Sequence, residues 1–231
     1  AMIVDWLPEK AVANFSIVSG FLTWIVILFW LAKSGWRIQR RYFVEATRTP
    51  LGRNGIVWSS ALMGALFFVA GERRPGLPAI LAVAMVGVLS AYVDALTHRL
   101  PNGYTAAMAV GVCVGLVGGA LVSPFWRERL TGSALGLLIW LLPVWLLNRL
   151  PGGMGAGDVK LAPVLGAMVG SVGVEAAAAG LALAFVSAGV AALWKLVVGS
   201  AGTKSRVPMG PWMIGAALFA TVAWGVIPDW L

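Results

Sequence analysis

The stretch LPAILAVAMVGVLSAYVDALTHRLPNGYTAAMAVGVCVGLVGGALVS, residues 77–123, decides the fold. It holds two apolar runs, 77–96 and 104–123, each matching the roughly 20 residues a helix needs to cross the hydrocarbon core of a bilayer. A short polar turn separates them, and the only charged side chains in the stretch are Asp94 and Arg99. Pro101 and Asn102 supply the turn signal. Outward from this pair the same reading gives six further candidate spans: 12–32, 56–71, 131–148, 159–173, 175–198 and 209–228. The chain is 60% hydrophobic and 11% charged over 231 residues, whereas soluble domains are about 45–50% apolar and about 25% charged. These values exclude a water-soluble domain and a disordered chain. The single cysteine, Cys113, excludes a disulfide scaffold and Cys-rich zinc modules. No ten-residue alternation suggests a β-barrel. The expectation is an all-α, polytopic membrane helical bundle of about eight transmembrane helices. Ala1, ahead of Met2, is set aside as an expected cloning remnant.

Charge orients the bundle. Following eight crossings from the 33–55 loop collects 12 of the 17 basic residues on the side of that loop. That side is predicted to be cytoplasmic, and both termini are then predicted to be extracytoplasmic. The formal charge of +8 is read as a topology determinant with attraction to anionic lipid headgroups; nucleic acid is not an expected partner. The segment KSGWRIQRRYFVEATRTPLGR (33–53) carries Trp36, Tyr42 and Phe43 among its basic residues. It reads either as an amphipathic interfacial helix or as a solvated connector.

Glycines four apart (Gly111, Gly115 and Gly119; Gly132 and Gly136; Gly166 and Gly170) predict faces where helix backbones approach closely. Trp24, Trp30, Trp58, Trp126, Trp140, Trp212 and Trp230 are expected near span ends as interface anchors. Cys113, in mid-span, is expected to be inert packing.

Two aspartates stand out. Asp94 ends the third span and Asp158 opens the sixth, and two intervening spans return both to one membrane face. An acidic residue at membrane depth is costly and is a functional candidate by default. Two carboxylates on one face suit proton-transfer chemistry: one accepts a proton from water, the other polarises a carbonyl and protonates the leaving group. His98 is the only histidine, so no serine–histidine set competes. Asp94 at a helix C-terminus is expected to carry the resting proton. Asp158, at a helix N-terminus with Lys160 two residues on, is expected to be the anion. Gly152, Gly153, Gly155 and Gly157 are expected to free the backbone before Asp158 for positive φ and close approach.

Three motifs then resemble a known family. YVDALTHRLPN around Asp94, GMGAGDVKL around Asp158 and VPMGPWMIGAAL at 207–218 look like the type IV prepilin peptidases, membrane aspartic peptidases that also include archaeal preflagellin peptidases. The resemblance covers about 77–228. It implies that Asp94 and Asp158 are the catalytic pair, and that Gly155, Gly157, Lys160, Pro101 and Asn102 shape the motif loops. Pro208, Gly210 and Pro211 would contribute to a substrate wall. The implied reaction removes short basic leader peptides from prepilins or pseudopilins at the cytoplasmic face of the inner membrane. No cofactor or metal is expected. Longer family members carry two zinc-binding CxxC pairs in a cytoplasmic domain and methylate the new N-terminus. Here one cysteine and a first loop of about 23 residues point to a compact, cleavage-only enzyme. Residues 1–55 are accordingly read as a first helix with its basic loop, and 56–231 as the peptidase core. Two alternatives stand beside this reading. One is a presenilin-like intramembrane protease, which shares the GxGD tetrad but has a proline-alanine-leucine segment missing here. The other is a proton-coupled transporter using the same aspartates as a relay.

Overall fold

A computed structural model describes residues 7–71, 74, 76–151, 153–198 and 207–224. Its elements are helices: α1 (Leu7–Lys33), α2 (Ile38–Glu45), α3 (Arg53–Gly71), α4 (Leu77–Thr97), α5 (Asn102–Val122), α6 (Trp126–Asn148), α7 (Ala156–Gly170), α8 (Val174–Val197) and α9 (Gly210–Ala223), with one 3-10 turn at Gly35–Arg37. There is no strand among the described residues.

Helix α4 is the axis of the bundle. Its sequence is apolar on every side and rich in small residues, the composition of a helix surrounded by others. Ala79, Ile80, Leu81, Ala82, Val83, Ala84 and Met85 are all nearly or completely buried. Helices α1, α3, α5 and α9 pack around α4, α6 and α8 join the bundle through α7 and α9, and the outward faces stay open. Val18, Leu22, Val26 and Phe29 of α1 are more than half exposed, as are Leu62 and Val69 of α3 and Val186, Val190 and Leu193 of α8. Apolar surface on this scale belongs in lipid, not water. Among the described residues six helices are long and apolar enough to cross a membrane: α3, α4, α5, α6, α8 and, from Ala13, α1.

The other two of the eight expected spans fall on shorter apolar helices. The candidates at 159–173 and 209–228 correspond to α7, with 15 residues, and α9, with 14. At 1.5 Å per residue the described part of each covers about 22 Å of the roughly 30 Å hydrocarbon core, and residues 225–228 of the last candidate lie outside the described residues. The cause is local: α7 starts only after the glycine-rich segment, and only Ser171, Val172 and Gly173 separate its end from α8. The expected extracytoplasmic termini, Gly152 and Trp230 lie outside the described residues.

The glycine faces pair as expected. A Cβ on Gly136 would lie 2.4 Å from the Gly166 carbonyl oxygen, and one on Gly132 the same distance from that of Gly170. Helices α6 and α7 thus touch backbone to backbone. Across α4 and α5, Gly111 faces Ala82 and Gly115 faces Ala79. Hydrogen bonds join other pairs: Ser60 Oγ donates to the Met85 carbonyl (2.7 Å) and Trp140 Nε1 to that of Ala177 (2.8 Å). Trp140 is therefore a buried cross-helix tie and not an interface anchor; a fully buried indole must find an acceptor, and one lies on α8. Cys113 also departs from expectation, because it faces outward from α5 instead of into the packing.

The basic loop resolves in favour of a helix. In α2 an i, i+4 pair, Gln39 and Phe43, turns inward and is buried. Gln39 Nε2 donates to the Leu51 carbonyl (2.6 Å), the Leu51 N–H returns a bond to Gln39 Oε1 (3.3 Å), and Phe43 stacks on Tyr92 of α4. Tyr104 of α5 donates its hydroxyl to the Gly35 carbonyl (3.2 Å). The segment is thereby clamped to the end of the bundle where α4 finishes and α5, α7 and α9 begin.

Candidate active site

Asp94 lies in the last turn of α4 and is 5% exposed. The helix ends at His98, which adopts a left-handed φ of 52° and donates its N–H to the Asp94 carbonyl (2.8 Å). That conformation usually falls to glycine or asparagine, and here it turns the chain sharply into Arg99–Leu100–Pro101. Pro101, buried and extended, caps α5. The Asp94 side chain receives its partner from far along the chain: the Gly210 N–H, at the start of α9, donates to Oδ2 at 2.9 Å.

Asp158 is the third residue of α7 and is 8% exposed. Its Oδ2 accepts the N–H of Gly155, the N-cap residue, at 3.1 Å, while the Asp158 N–H donates to the Gly155 carbonyl (3.0 Å). The carboxylate reaches back to the cap as the acidic member of a capping box does, so the helix start itself aims the side chain. Gly153, Gly155 and Gly157 serve close approach and not positive φ. Gly155 is extended (φ −71°, ψ 152°). A Cβ on Gly157 would lie 2.9 Å from Leu100 Cβ, and one on Gly153 only 1.9 Å from the Leu147 carbonyl oxygen.

Both aspartates line one cleft of about 290 Å³. Its walls come from Gly155, Ala156 and Gly157 on one side, His98, Arg99, Leu100 and Asn102 on another, and Tyr42 of α2. Each carboxylate gives Oδ2 to one backbone N–H. Neither Oδ1 has a hydrogen-bond partner among the described residues, so each is open to a water or a substrate. Leu100 ties the two halves together, touching the space beside both Gly157 and Gly210.

The other expected residues divide. Lys160 Nζ donates to Asn102 Oδ1 (3.1 Å), linking α7 to the start of α5 at the rim. Lys160 is thus engaged away from Asp158, and each carboxyl accepts one N–H from the start of a helix, Gly155 before α7 and Gly210 of α9, so helix ends do not assign the shared proton to either aspartate. Gly210 reaches Asp94, whereas Pro208 and Pro211 are half-buried nearby and do not line the cleft. Sequence reasoning missed Arg99, Leu100, Tyr42 and Glu45. Glu45 joins Arg41 at 2.9 Å and also contacts Arg99 across to the α4–α5 turn. Arg41 holds the exposed Glu45 carboxyl below its usual range. For Tyr42 the one signal was the inward pair Gln39 and Phe43, which fixes the register of α2.

Geometry of this kind defines a class: a multi-pass helical membrane protein with two buried carboxylates brought into one cleft by helix ends. The type IV leader peptidase family matches residues 80–227, and the chain belongs to that family. It is 30% identical over 172 residues to the prepilin leader peptidase/N-methyltransferase of Burkholderia pseudomallei strain 1026b, and equally to that of strain K96243. The match covers 72% of this chain and 53% of each relative, so the chain spans about half the length of the curated relatives it matches. No solved structure matches.

Proposed function

We propose that this chain is an aspartic endopeptidase that removes the short basic leader from type IV prepilins or pseudopilins at the cytoplasmic boundary of the inner membrane. The observation that carries this reading is the meeting of Asp94 and Asp158, 64 residues apart, in one cleft with Oδ2 of each held and Oδ1 of each open. Two carboxylates in one low-dielectric cleft share a proton, because like charges held close do not both ionise. The ionised member takes a proton from a water as the water oxygen bonds to the scissile carbonyl carbon. The protonated member donates to the carbonyl oxygen, giving a gem-diol. A proton then passes to the amide nitrogen, the C–N bond breaks and the amine leaves. The substrate class follows from membership of the family and from the relatives' naming as prepilin leader peptidases. Cleavage without methylation remains the reading for this chain, whose one cysteine cannot supply zinc-binding pairs.

Purified protein in lipid, offered a panel of full-length prepilins with a methyl donor present, tests the proposal by mass spectrometry of the product N-termini. Cleavage at the leader–helix boundary should fall at least about 1,000-fold in both Asp94→Asn and Asp158→Asn, since each removes one half of the proton transfer. The product should carry no methyl group. Folded parent protein that cleaves no member of the panel, or either variant retaining parental rates, overturns the reading.

A further inference from the structure

We propose that Tyr42, in the segment before the region the family match covers, is a substrate-binding residue whose hydroxyl donates a hydrogen bond to a backbone carbonyl of the polypeptide bound in the cleft. The inference rests on the peptidase reading above and names one more contact in that site. Tyr42 forms part of the same cleft wall as Asp94 and Asp158. Its hydroxyl oxygen accepts the Asn102 N–H at 3.4 Å. A phenol has one hydrogen to give and can accept as well, and among the described residues nothing accepts the hydrogen of Tyr42. The donor is therefore oriented by its acceptor bond and left open toward the cleft.

The ring is held in place by its own helix. The neighbouring Phe43 is fully buried against Tyr92, and Gln39 clamps α2 to Leu51 from both sides of its amide. A donor on so fixed a support loses little freedom when it binds. The chemistry favours a peptide carbonyl. A chain entering the cleft loses water from its carbonyls and needs donors in exchange. A neutral hydroxyl supplies one without adding charge beside the carboxylate pair.

The test separates donation to substrate from support of Asn102. Full-length prepilin cleavage by protein in lipid is measured for the parent, for Tyr42→Phe and for protein carrying 3,5-difluorotyrosine at position 42. The assays are run at a pH low enough to keep the fluorinated phenol, which is more acidic than tyrosine, protonated; fluorination then makes the hydroxyl a better donor and a poorer acceptor, so the two roles move in opposite directions. The expected result for Tyr42→Phe is a KM raised about three- to tenfold, the range for one neutral hydrogen bond, with kcat within about twofold. The difluoro protein should have a KM at or below that of the parent. A Tyr42→Phe protein with parental KM overturns the proposal. So does a difluoro protein whose KM rises with a fall in melting temperature, because that marks the acceptor role. If the parent itself cleaves no prepilin, the peptidase reading fails first and this inference falls with it.

Discussion

Gly210→Ala isolates the one bond that links the late VPMGPW motif to Asp94. In the structure the Gly210 N–H donates to Asp94 Oδ2 at 2.9 Å in a buried setting. An added Cβ would lie 2.7 Å from that same oxygen, 3.2 Å from Asp94 Cγ and 3.0 Å from Leu100 Cδ2. Leu100 has little room to retreat, because its Cβ already stands 2.9 Å from where a Cβ on Gly157 would be. Either the carboxylate turns away or the start of α9 backs off, and both lengthen the bond. A hydrogen bond to this carboxyl contributes about 1.5–3 kcal/mol in the ionised form of Asp94. If that bond holds the carboxyl in its reactive orientation, losing it lowers kcat/KM by about 10- to 100-fold. Folding should respond differently. Alanine is favoured over glycine in a helix by up to about 1 kcal/mol, which offsets part of the lost bond. The expected result is a large fall in prepilin cleavage with a melting temperature near that of the parent. Leu100→Val in the same chain removes one of the two contacts and should recover part of the rate, a coupling that a double-mutant cycle reads directly. Parental kcat/KM in Gly210→Ala would refute the claim that this N–H positions Asp94.

Further consequences concern packing and charge. Gly136→Ala places a methyl 2.4 Å from the Gly166 carbonyl oxygen, so it should part α6 from α7 and lower the melting temperature markedly. Gly189→Ala, with nothing within 4 Å of the new Cβ, should be neutral or slightly stabilising in the same thermal scan. Trp140→Phe leaves the Ala177 carbonyl without its 2.8 Å donor in a buried setting. That carbonyl keeps its helical partner within α8, so the expected cost of the lost bond is about 0.5–1.5 kcal/mol, read as a shift in the denaturation midpoint. Glu45 has a folded pKa below its ordinary value of 4.5 because Arg41 donates to it. Its tie is therefore fully present above 4.5 and is lost as pH falls through the depressed value. Glu45→Gln should abolish that part of the acid dependence of the melting temperature, and an unchanged acid limb would contradict it.

How far the fold could be read depended on whether the deciding contacts were periodic. The long spans and the glycine faces were legible because lipid-facing helices need continuous apolar length and close helix pairs need small residues at fixed spacing. Gly132 and Gly136 meet Gly166 and Gly170 as that spacing implies. The exact limits of α7 were less legible. Composition at 159–173 is apolar throughout, but the helix runs from Ala156 to Gly170, limits set by cap and turn geometry and not by hydropathy. Trp140 misled for a similar reason. Tryptophan is common at interfaces, yet a carbonyl on a neighbouring helix makes a buried indole equally stable, and hydropathy cannot see that carbonyl.

The site shows the same division more sharply. Asp94 and Asp158 were legible because a carboxylate among apolar residues has few uses. The glycines around Asp158 were legible as a requirement but not as a mechanism: Gly157 is small because Leu100 lies against it, while the left-handed turn of the site falls on His98, a residue that nothing in the pattern marks for positive φ. Gly210 was legible only as part of a motif, since its bond to Asp94 crosses 116 residues. The contribution of α2 was hidden most deeply. Its basic composition describes the outward face, whereas the inward pair Gln39 and Phe43 fixes the register that turns Tyr42 to the cleft. The cleft is thus assembled from four separated stretches: α2, the end of α4 with its turn, the start of α7 and the start of α9. Leu100 packs beside Gly157 and Gly210, and Asn102 bonds both Tyr42 and Lys160. Those two residues of one short turn set the spacing of all four stretches, so substitutions in the 98–102 turn should disturb both carboxylates together.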